Sequence, residues 1–196
     1  MTKKHMMGFI FISLSITSFN SLAIFPKTDK DFSLLPPYCK AILKPTSNAE
    51  RDSWSRRLAG IGGPHHFCAA LHSYNHSQHI PRNEEGRTYK TFMLRTVLNE
   101  VAYVEGHSQN KKHALFPKIY LLKAKAYADL GKTADALIYF EKSIAANKKF
   151  VHGYLALSKY YQKIGNKQKA LVIVEQGLKY KPTSKGLNRR KKELLE

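Results

Sequence analysis

The sequence predicts an all-α protein, an α-solenoid of two helix pairs with an N-terminal helical cap and a C-terminal capping helix. Three observations lead to this prediction. The C-terminal third contains two similar stretches at a fixed offset. Apolar residues upstream recur at helical spacing, and glycine and proline stand where such segments would end. The length of 196 residues suits one domain, or one domain with a small extension.

The chain is strongly basic. Lys and Arg total 33 against 14 Asp and Glu, which gives a formal net charge of +19. A field of this sign attracts polyanions such as nucleic acid, anionic lipid, lipopolysaccharide and acidic proteins. The same charge also fits a solvated surface without a fixed partner, so it bears on partners and not on fold.

The first 23 residues have the pattern of a targeting segment. Lys3 and Lys4 precede an apolar run, and Ser21 and Ala23 are the small residues that signal peptidase requires. The apolar run is too short to span a bilayer comfortably. We therefore expect cleavage after Ala23 and a mature protein in the periplasm or outside the cell. An uncleaved inner-membrane anchor is the alternative.

Both cysteines, Cys39 and Cys68, lie in the expected mature chain. Export permits a disulfide, and an even count fits one bridge. Closing a loop of this length would stabilise the fold by about 3–4 kcal/mol in the chain-entropy model.

The first elements after the targeting segment are irregular. Residues 24–36 are polar-interrupted and bounded by proline, which indicates an extended lead-in, and 35–43 can form one or two helical turns. Ser47 with Glu50 three residues later has the spacing of a capping box. A helix is therefore expected over 48–59, ended by a cluster of glycines.

Two longer helices are predicted next. Pro64 can begin a helix over 64–76, and apolar spacing indicates another over 87–105. A loop over 106–117 follows. The whole region 24–116 is expected to form the N-terminal helical cap.

The C-terminal third contains an internal repeat with a period of 34 residues. The stretch 120–144 aligns with 154–178, and Gly131 matches Gly165 where each pair of helices must turn. Small residues let the second helix approach the first, and large residues fill the gap between them. Other matched pairs are Tyr120 and Tyr154, Tyr127 and Tyr161, Ala136 and Ala170, and Glu141 and Glu175.

This part resembles the tetratricopeptide repeat, which has the same period and two amphipathic helices per unit. The units would be 117–150 and 151–184, and the basic tail 185–196 would be the cap helix that such arrays require. Because two repeats alone bury little surface, the upstream helices are expected to pack on them. The resemblance implies a helical scaffold that binds other proteins.

A second resemblance involves the N-terminal region. The "LLPPYCKA" start at 34–41 and the His-rich helix with its cysteine are similar to those of short exported bacterial repeat proteins of unassigned role. This resemblance implies a protein of the cell envelope.

The stretch "GGPHHFCAALHSYNHSQHI" at 62–80 is rich in histidine. Helical steps of three and four positions would keep five of its side chains on one face. These are His65, Cys68, His72, His76 and His79. The candidate metal ligands are His65, His72 and His76, with zinc or copper as the ion.

Two alternatives compete with a metal site in this helix. Ser73 stands where a zincin motif would need glutamate, and a disulfide-bonded Cys68 could not be a thiolate ligand. The helix could simply pack through the interleaved apolar residues, or its histidines could respond to pH. The interleaved residues are Phe67, Ala69, Ala70, Leu71 and Tyr74.

The resemblance also implies a binding groove, because the first helix of each repeat lines the concave surface of such arrays. The groove positions of this chain are dominated by lysine and histidine, which favours an acidic peptide or C-terminus as ligand. They lack the asparagines that the family's carboxylate clamp uses. The positions are Lys118, Leu121, Lys125, Ala128, His152, Leu155, Lys159 and Lys163.

The basic C-terminus, from Lys179 to Lys192, is a third candidate surface. It could contact anionic lipid or lipopolysaccharide, or serve only solubility. With an export signal present, nucleic acid is not the expected partner.

The sequence has no phosphate-binding glycine loop, nucleophile elbow or suggestive carboxylate pair, so neither an enzyme nor a cofactor is expected. The predicted function is a non-enzymatic protein–protein interaction scaffold or assembly accessory in the bacterial cell envelope. The alternative is a metal-binding periplasmic protein that uses the His-rich helix 65–79.

Overall fold

The computed structural model describes residues 24–196, and the predicted targeting segment lies outside them. Across this described range the chain is all-helical, without a strand. Its ten helices, in chain order within that range, are α1 (Asp29–Ser33), α2 (Pro37–Leu43), α3 (Asn48–Arg57), α4 (Pro64–Ser77), α5 (Glu84–His107), α6 (Phe116–Asp129), α7 (Thr133–Ala146), α8 (Val151–Lys163), α9 (Lys167–Tyr180) and α10 (Lys185–Leu195).

The ends of the helices follow local sequence rules. Pro37 and Pro64 occupy the first turn of α2 and α4, where a missing backbone N–H costs nothing. The Ser184 hydroxyl accepts a hydrogen bond from the backbone N–H of Leu187 and caps α10. The turns of both repeats contain a glycine at positive φ, 73° at Gly131 and 81° at Gly165, as the repeat pattern predicts.

The prediction of an extended lead-in over 24–36 is wrong at α1. The Thr28 hydroxyl accepts from the backbone N–H of Asp31, and the Asp31 carboxylate accepts from that of Thr28 at 2.9 Å. This capping box starts a helix that buries Phe32 in the core. Two reciprocal hydrogen bonds and one apolar anchor thus support this helix of five residues.

The capping box predicted at Ser47 and Glu50 forms only in part. The Ser47 hydroxyl accepts from the backbone N–H of Glu50 at 3.1 Å, as expected. The Glu50 carboxylate instead reaches one residue further back and accepts from the backbone N–H and the hydroxyl of Thr46. The helix is still capped, and α3 ends at Arg57, earlier than 48–59 would require.

The predicted disulfide between Cys39 and Cys68 is present. Their Cα atoms are 5.5 Å apart, and both residues are completely buried. The bridge joins α2 to α4 within a core that also receives side chains from α5 and α6. A second core fills the repeats and the capping helix.

The helices stack as three successive hairpins, α4 with α5, α6 with α7, and α8 with α9. The first helices are neighbours, because α4 contacts α6 and α6 contacts α8. Close approach within a repeat needs small residues: a Cβ atom on Gly177 would lie 2.8 Å from the Tyr154 ring. The hairpin α4–α5 therefore takes the place of a further repeat, and α10 packs on α8 and α9 as the predicted cap.

None of the helices between residues 24 and 196 is both long and apolar enough to cross a membrane.

Candidate functional site

A groove of about 540 Å³ runs along the first helices of the hairpins. This volume lies within the range of about 300–1,000 Å³ that is usual for ligand pockets. Its base is α6, and α8 forms one wall. Every groove position that the repeat register predicted contributes to the lining of this single cavity, which we call the basic groove. These residues are Lys118, Leu121, Lys125, Ala128, His152, Leu155, Lys159 and Lys163.

The opposite wall of the basic groove comes from the N-terminal cap. Phe67, Leu71 and Tyr74 line it from α4, at the spacing i, i+4 and i+7 that keeps side chains on one helix face. Pro36 and Tyr38 line it from the start of α2. We call these five residues the cap wall. The sequence pattern marked the α4 residues as a packing face but did not place them in the groove.

The basic groove is electropositive because its lysines lack acidic partners. None of its four lysines forms an ion pair with any residue in the described part of the chain. Lys118, Lys159 and Lys163 are exposed at the rim. Lys125 is half-buried, and burial, reinforced by nearby Lys159, lowers its pKa. An anionic ligand beside Lys125 would favour its charged form and so oppose this lowering of its pKa.

Asp129 is the one carboxylate among the described residues that line the groove. It accepts hydrogen bonds from the Tyr74 hydroxyl at 3.1 Å and from Nε2 of Gln78 at 3.0 Å. Burial and this neighbouring carboxylate raise the pKa of Tyr74, so its hydroxyl stays a donor. Asp129 is thus held by α4. Its negative charge favours the charged form of nearby Lys125, but it forms no ion pair with the groove lysines in the described chain.

Tyr38 brings an unusual polar atom to the cap wall. The residue is 6% exposed, and its hydroxyl has no hydrogen-bond partner among residues 24–196. Burial raises its pKa, which keeps the hydroxyl protonated and able to donate. A buried hydroxyl without a partner costs free energy in the unliganded protein.

The structure does not bring His65, His72 and His76 together. Within residues 24–196 there is no group of three or more His, Cys, Asp or Glu side chains placed to hold a metal ion. The physical reason is helical rise, because His65 and His72 stand seven residues apart, or about 10 Å along α4. A zinc or copper site stays a prediction. Of the three candidate ligands, only His72 and His76 lie on successive turns of α4.

The individual histidines have different surroundings. His65 is half-buried and stacks on Phe25 at 6.2 Å, and burial lowers its pKa. Burial also lowers the pKa of His72. His76 is exposed and its ring is perpendicular to that of Tyr89, and His79 lies beyond the end of α4. The predicted alignment of five side chains thus ends before His79, and Cys68 is in the disulfide.

A side-chain hydrogen bond that was not predicted from the sequence joins α4 to α5. Nδ1 of His66 lies 2.5 Å from Oε2 of Glu100, and the His66 ring packs on Tyr103 at 3.9 Å. Glu100 is buried on the same side of α5 as Val97 and Val104. The sequence did contain a signal for this contact: Glu100 stands on the apolar face of α5, and a buried carboxylate requires a hydrogen-bonding partner.

The basic C-terminus is partly neutralised by its own helix and by α9. Lys191 pairs with Glu175 at 2.9 Å, and Arg189 and Lys192 form weak i, i+4 pairs. Arg190 is turned inward and buried. Contact with anionic lipid or lipopolysaccharide stays a prediction. The number of unpaired, exposed basic side chains available for it is smaller than the sequence suggests.

Stacked helical hairpins whose first helices line a common groove define a helical-repeat protein. Comparison with protein-family models then identifies the repeat: the tetratricopeptide repeat matches residues 117–150 and 151–184. Residues 117–184 therefore contain two adjacent tetratricopeptide repeats, and such repeats form protein–protein interaction modules. Searches of curated proteins and of solved structures found no match.

Proposed function

We propose that the protein is a non-enzymatic scaffold or assembly accessory of the bacterial cell envelope, and that its basic groove holds an acidic segment of a partner protein. The observation that carries the proposal is the convergence of Lys118, Lys125, Lys159 and Lys163 on one cavity. Their free ammonium groups offer charge-assisted hydrogen bonds to carboxylates. A long-range positive field also speeds the encounter with an acidic partner.

The test uses a short fluorescein-labelled peptide rich in glutamate with one central phenylalanine, and a twin in which every glutamate is glutamine. Anisotropy titration at low salt should give at least about tenfold tighter binding of the glutamate peptide. The advantage should shrink as salt is added, because exposed charges are screened. Equal affinity for the two peptides would refute the proposal.

A charge reversal locates the binding. Lys118→Glu with Lys159→Glu should remove the preference for glutamate, since both side chains are exposed at the groove rim. The matched control is Lys179→Glu with Lys185→Glu, which changes the net charge equally at exposed positions outside the groove. If the control loses as much affinity as the groove variant, the net charge and not the groove attracts the peptide.

The place of action is proposed to be the periplasm or the extracellular space, with an inner-membrane anchor as the alternative. The disulfide of Cys39 and Cys68 supports an oxidising compartment. Mass spectrometry of the protein from its native host should find an N-terminus at Ile24. A retained Met1 in the membrane fraction would instead favour the anchor.

A further inference from the structure

We propose that the segment held in the basic groove carries a bulky apolar side chain as well as carboxylates, and that this side chain inserts against the cap wall. The inference rests on the proposed function, because it specifies the ligand of the same groove. It assigns a recognition role to the part of the chain outside the two repeats.

The two sides of the groove differ in charge. The α8 side has Lys159, Lys163 and His152 exposed at the rim, beside the apolar Leu155 and Ala156. The cap wall has no charged side chain. It consists of the side chains of Pro36 and Leu71 and of the three aromatic rings named above. A purely acidic segment would cover the lysines and leave this wall without a partner. A segment with one apolar anchor satisfies both sides.

Two features of the cap wall point to a ligand. Leu71 and Tyr74 are only half-buried, although the same helix face buries Phe67 completely. Tyr38 also lines the wall, and its hydroxyl is buried without a hydrogen-bond partner among residues 24–196. An occupant would therefore gain apolar contact area on the half-buried Leu71 and Tyr74.

The cap wall is also rigidly placed. Tyr38 precedes Cys39 and Phe67 precedes Cys68, so the disulfide fixes the two helices at the residues that form the wall. Tyr74 is held to Asp129 of α6 through its hydroxyl. A wall held by one covalent bond and one hydrogen bond is preorganised, which reduces the ordering cost of binding.

The test adds a third peptide to the pair used above, with glutamates kept and the central phenylalanine replaced by glycine. The oxidised full chain should bind the phenylalanine peptide at least about tenfold tighter than the glycine peptide, the value expected for burial of one aromatic side chain. A difference below about twofold, with the preference for glutamate intact, overturns this inference and leaves the proposed function standing. Loss of the glutamate preference overturns the proposed function itself.

Two further experiments test whether the apolar side chain of the peptide binds at the cap wall. Leu71→Ala should weaken the phenylalanine peptide about fivefold and leave the glycine peptide unchanged. Leu98→Ala is the matched control, a half-buried leucine on the same core but outside the groove. Should Leu71→Ala not fold, benzoylphenylalanine at the anchor position gives the answer in the parent protein. Cross-links should fall within 36–38 or 67–74, and cross-links confined to α8 or α9 overturn the inference.

Discussion

At the scale of single residues, Arg190 shows a basic side chain used for packing. It is 6% exposed on α10 and donates from Nη2 to the Gln162 side chain at 2.7 Å and from Nε to the Ser158 hydroxyl at 3.2 Å. Glu193 lies 3.3 Å from Nη1 and balances the charge. One residue of the basic run, Arg190, is therefore not a surface charge but holds the cap helix α10 against α8.

Arg190→Ala should lower the free energy of unfolding by about 2–3 kcal/mol, because it leaves the buried Ser158 and the Gln162 amide without their donor. Urea denaturation followed by circular dichroism measures the loss. Arg189→Ala is the control, since the Arg189 side chain is 80% exposed and should cost less than about 0.5 kcal/mol. Equal losses for the two arginines would contradict a packing role for Arg190.

Asp31 links the first helix to acid stability. Hydrogen bonds from the backbone N–H of Thr28 and of Lys27 lower the pKa of its carboxyl from 3.8 to about 2. The folded state therefore holds the proton less tightly than the unfolded chain. The stability that this group contributes is complete above its unfolded pKa of 3.8 and is lost as the pH falls toward 2.

Asp31→Asn should accordingly flatten the decline of the urea midpoint between about pH 4 and pH 2, because the amide has no proton to gain. Parent and variant should converge at the acid end. Asp52→Asn on α3 is the control, at an exposed aspartate that accepts no hydrogen bond within the described chain. An unchanged acid slope in Asp31→Asn would show that other carboxylates govern this range.

At the scale of helices, local rules predict the repeats better than the cap. The helices α6 to α9 follow a 34-residue period, and their turns need the glycines that the period contains. The short helix α1 has no comparable apolar period, and its existence depends on one capping box and on burial of Phe32. The spacing of Thr28 and Asp31 was a readable capping signal, whereas the burial of Phe32 is a tertiary contact, which a single sequence does not reveal.

The disulfide is the strongest constraint between two helices of the cap. Cys39→Ser with Cys68→Ser removes a covalent link across 29 positions of the chain and should cost about 3–4 kcal/mol of unfolding free energy. Urea denaturation of the parent with and without dithiothreitol provides the control, since the reduced parent should resemble the variant. A loss below about 1 kcal/mol would mean that packing alone holds α2 against α4.

At the scale of the whole molecule, the groove was predictable on one side and not on the other. The register of the repeats assigns eight positions of α6 and α8 to the concave surface, and all eight line one cavity. The cap wall was not predictable, because no period relates α4 to α6. The face of α4 that meets the groove is held by non-local contacts: the disulfide, the pair of His66 with Glu100, and the hydrogen bond from Tyr74 to Asp129.

The stacking of hairpins also predicts which helices are destabilised when one contact is removed. Each hairpin contacts mainly its neighbours, and the two cores are centred on the cap and on the repeats. In such an array, the stability of each hairpin depends mainly on its interfaces with the adjacent hairpins. Loss of the disulfide should therefore loosen the cap first and reach α8 and α9 only weakly.

Hydrogen exchange with mass spectrometry checks this expectation on the variant Cys39→Ser with Cys68→Ser. Amides of α2 and α4 should exchange at least about tenfold faster than in the oxidised parent, while those of α8 and α9 should change less than about threefold. Arg190→Ala provides the reciprocal case, because it disturbs α8 and α10 at the opposite end. Uniform acceleration in both variants would mean that the cap and the repeats unfold as one cooperative unit, and the cap wall would then lose its shape only when the whole groove does.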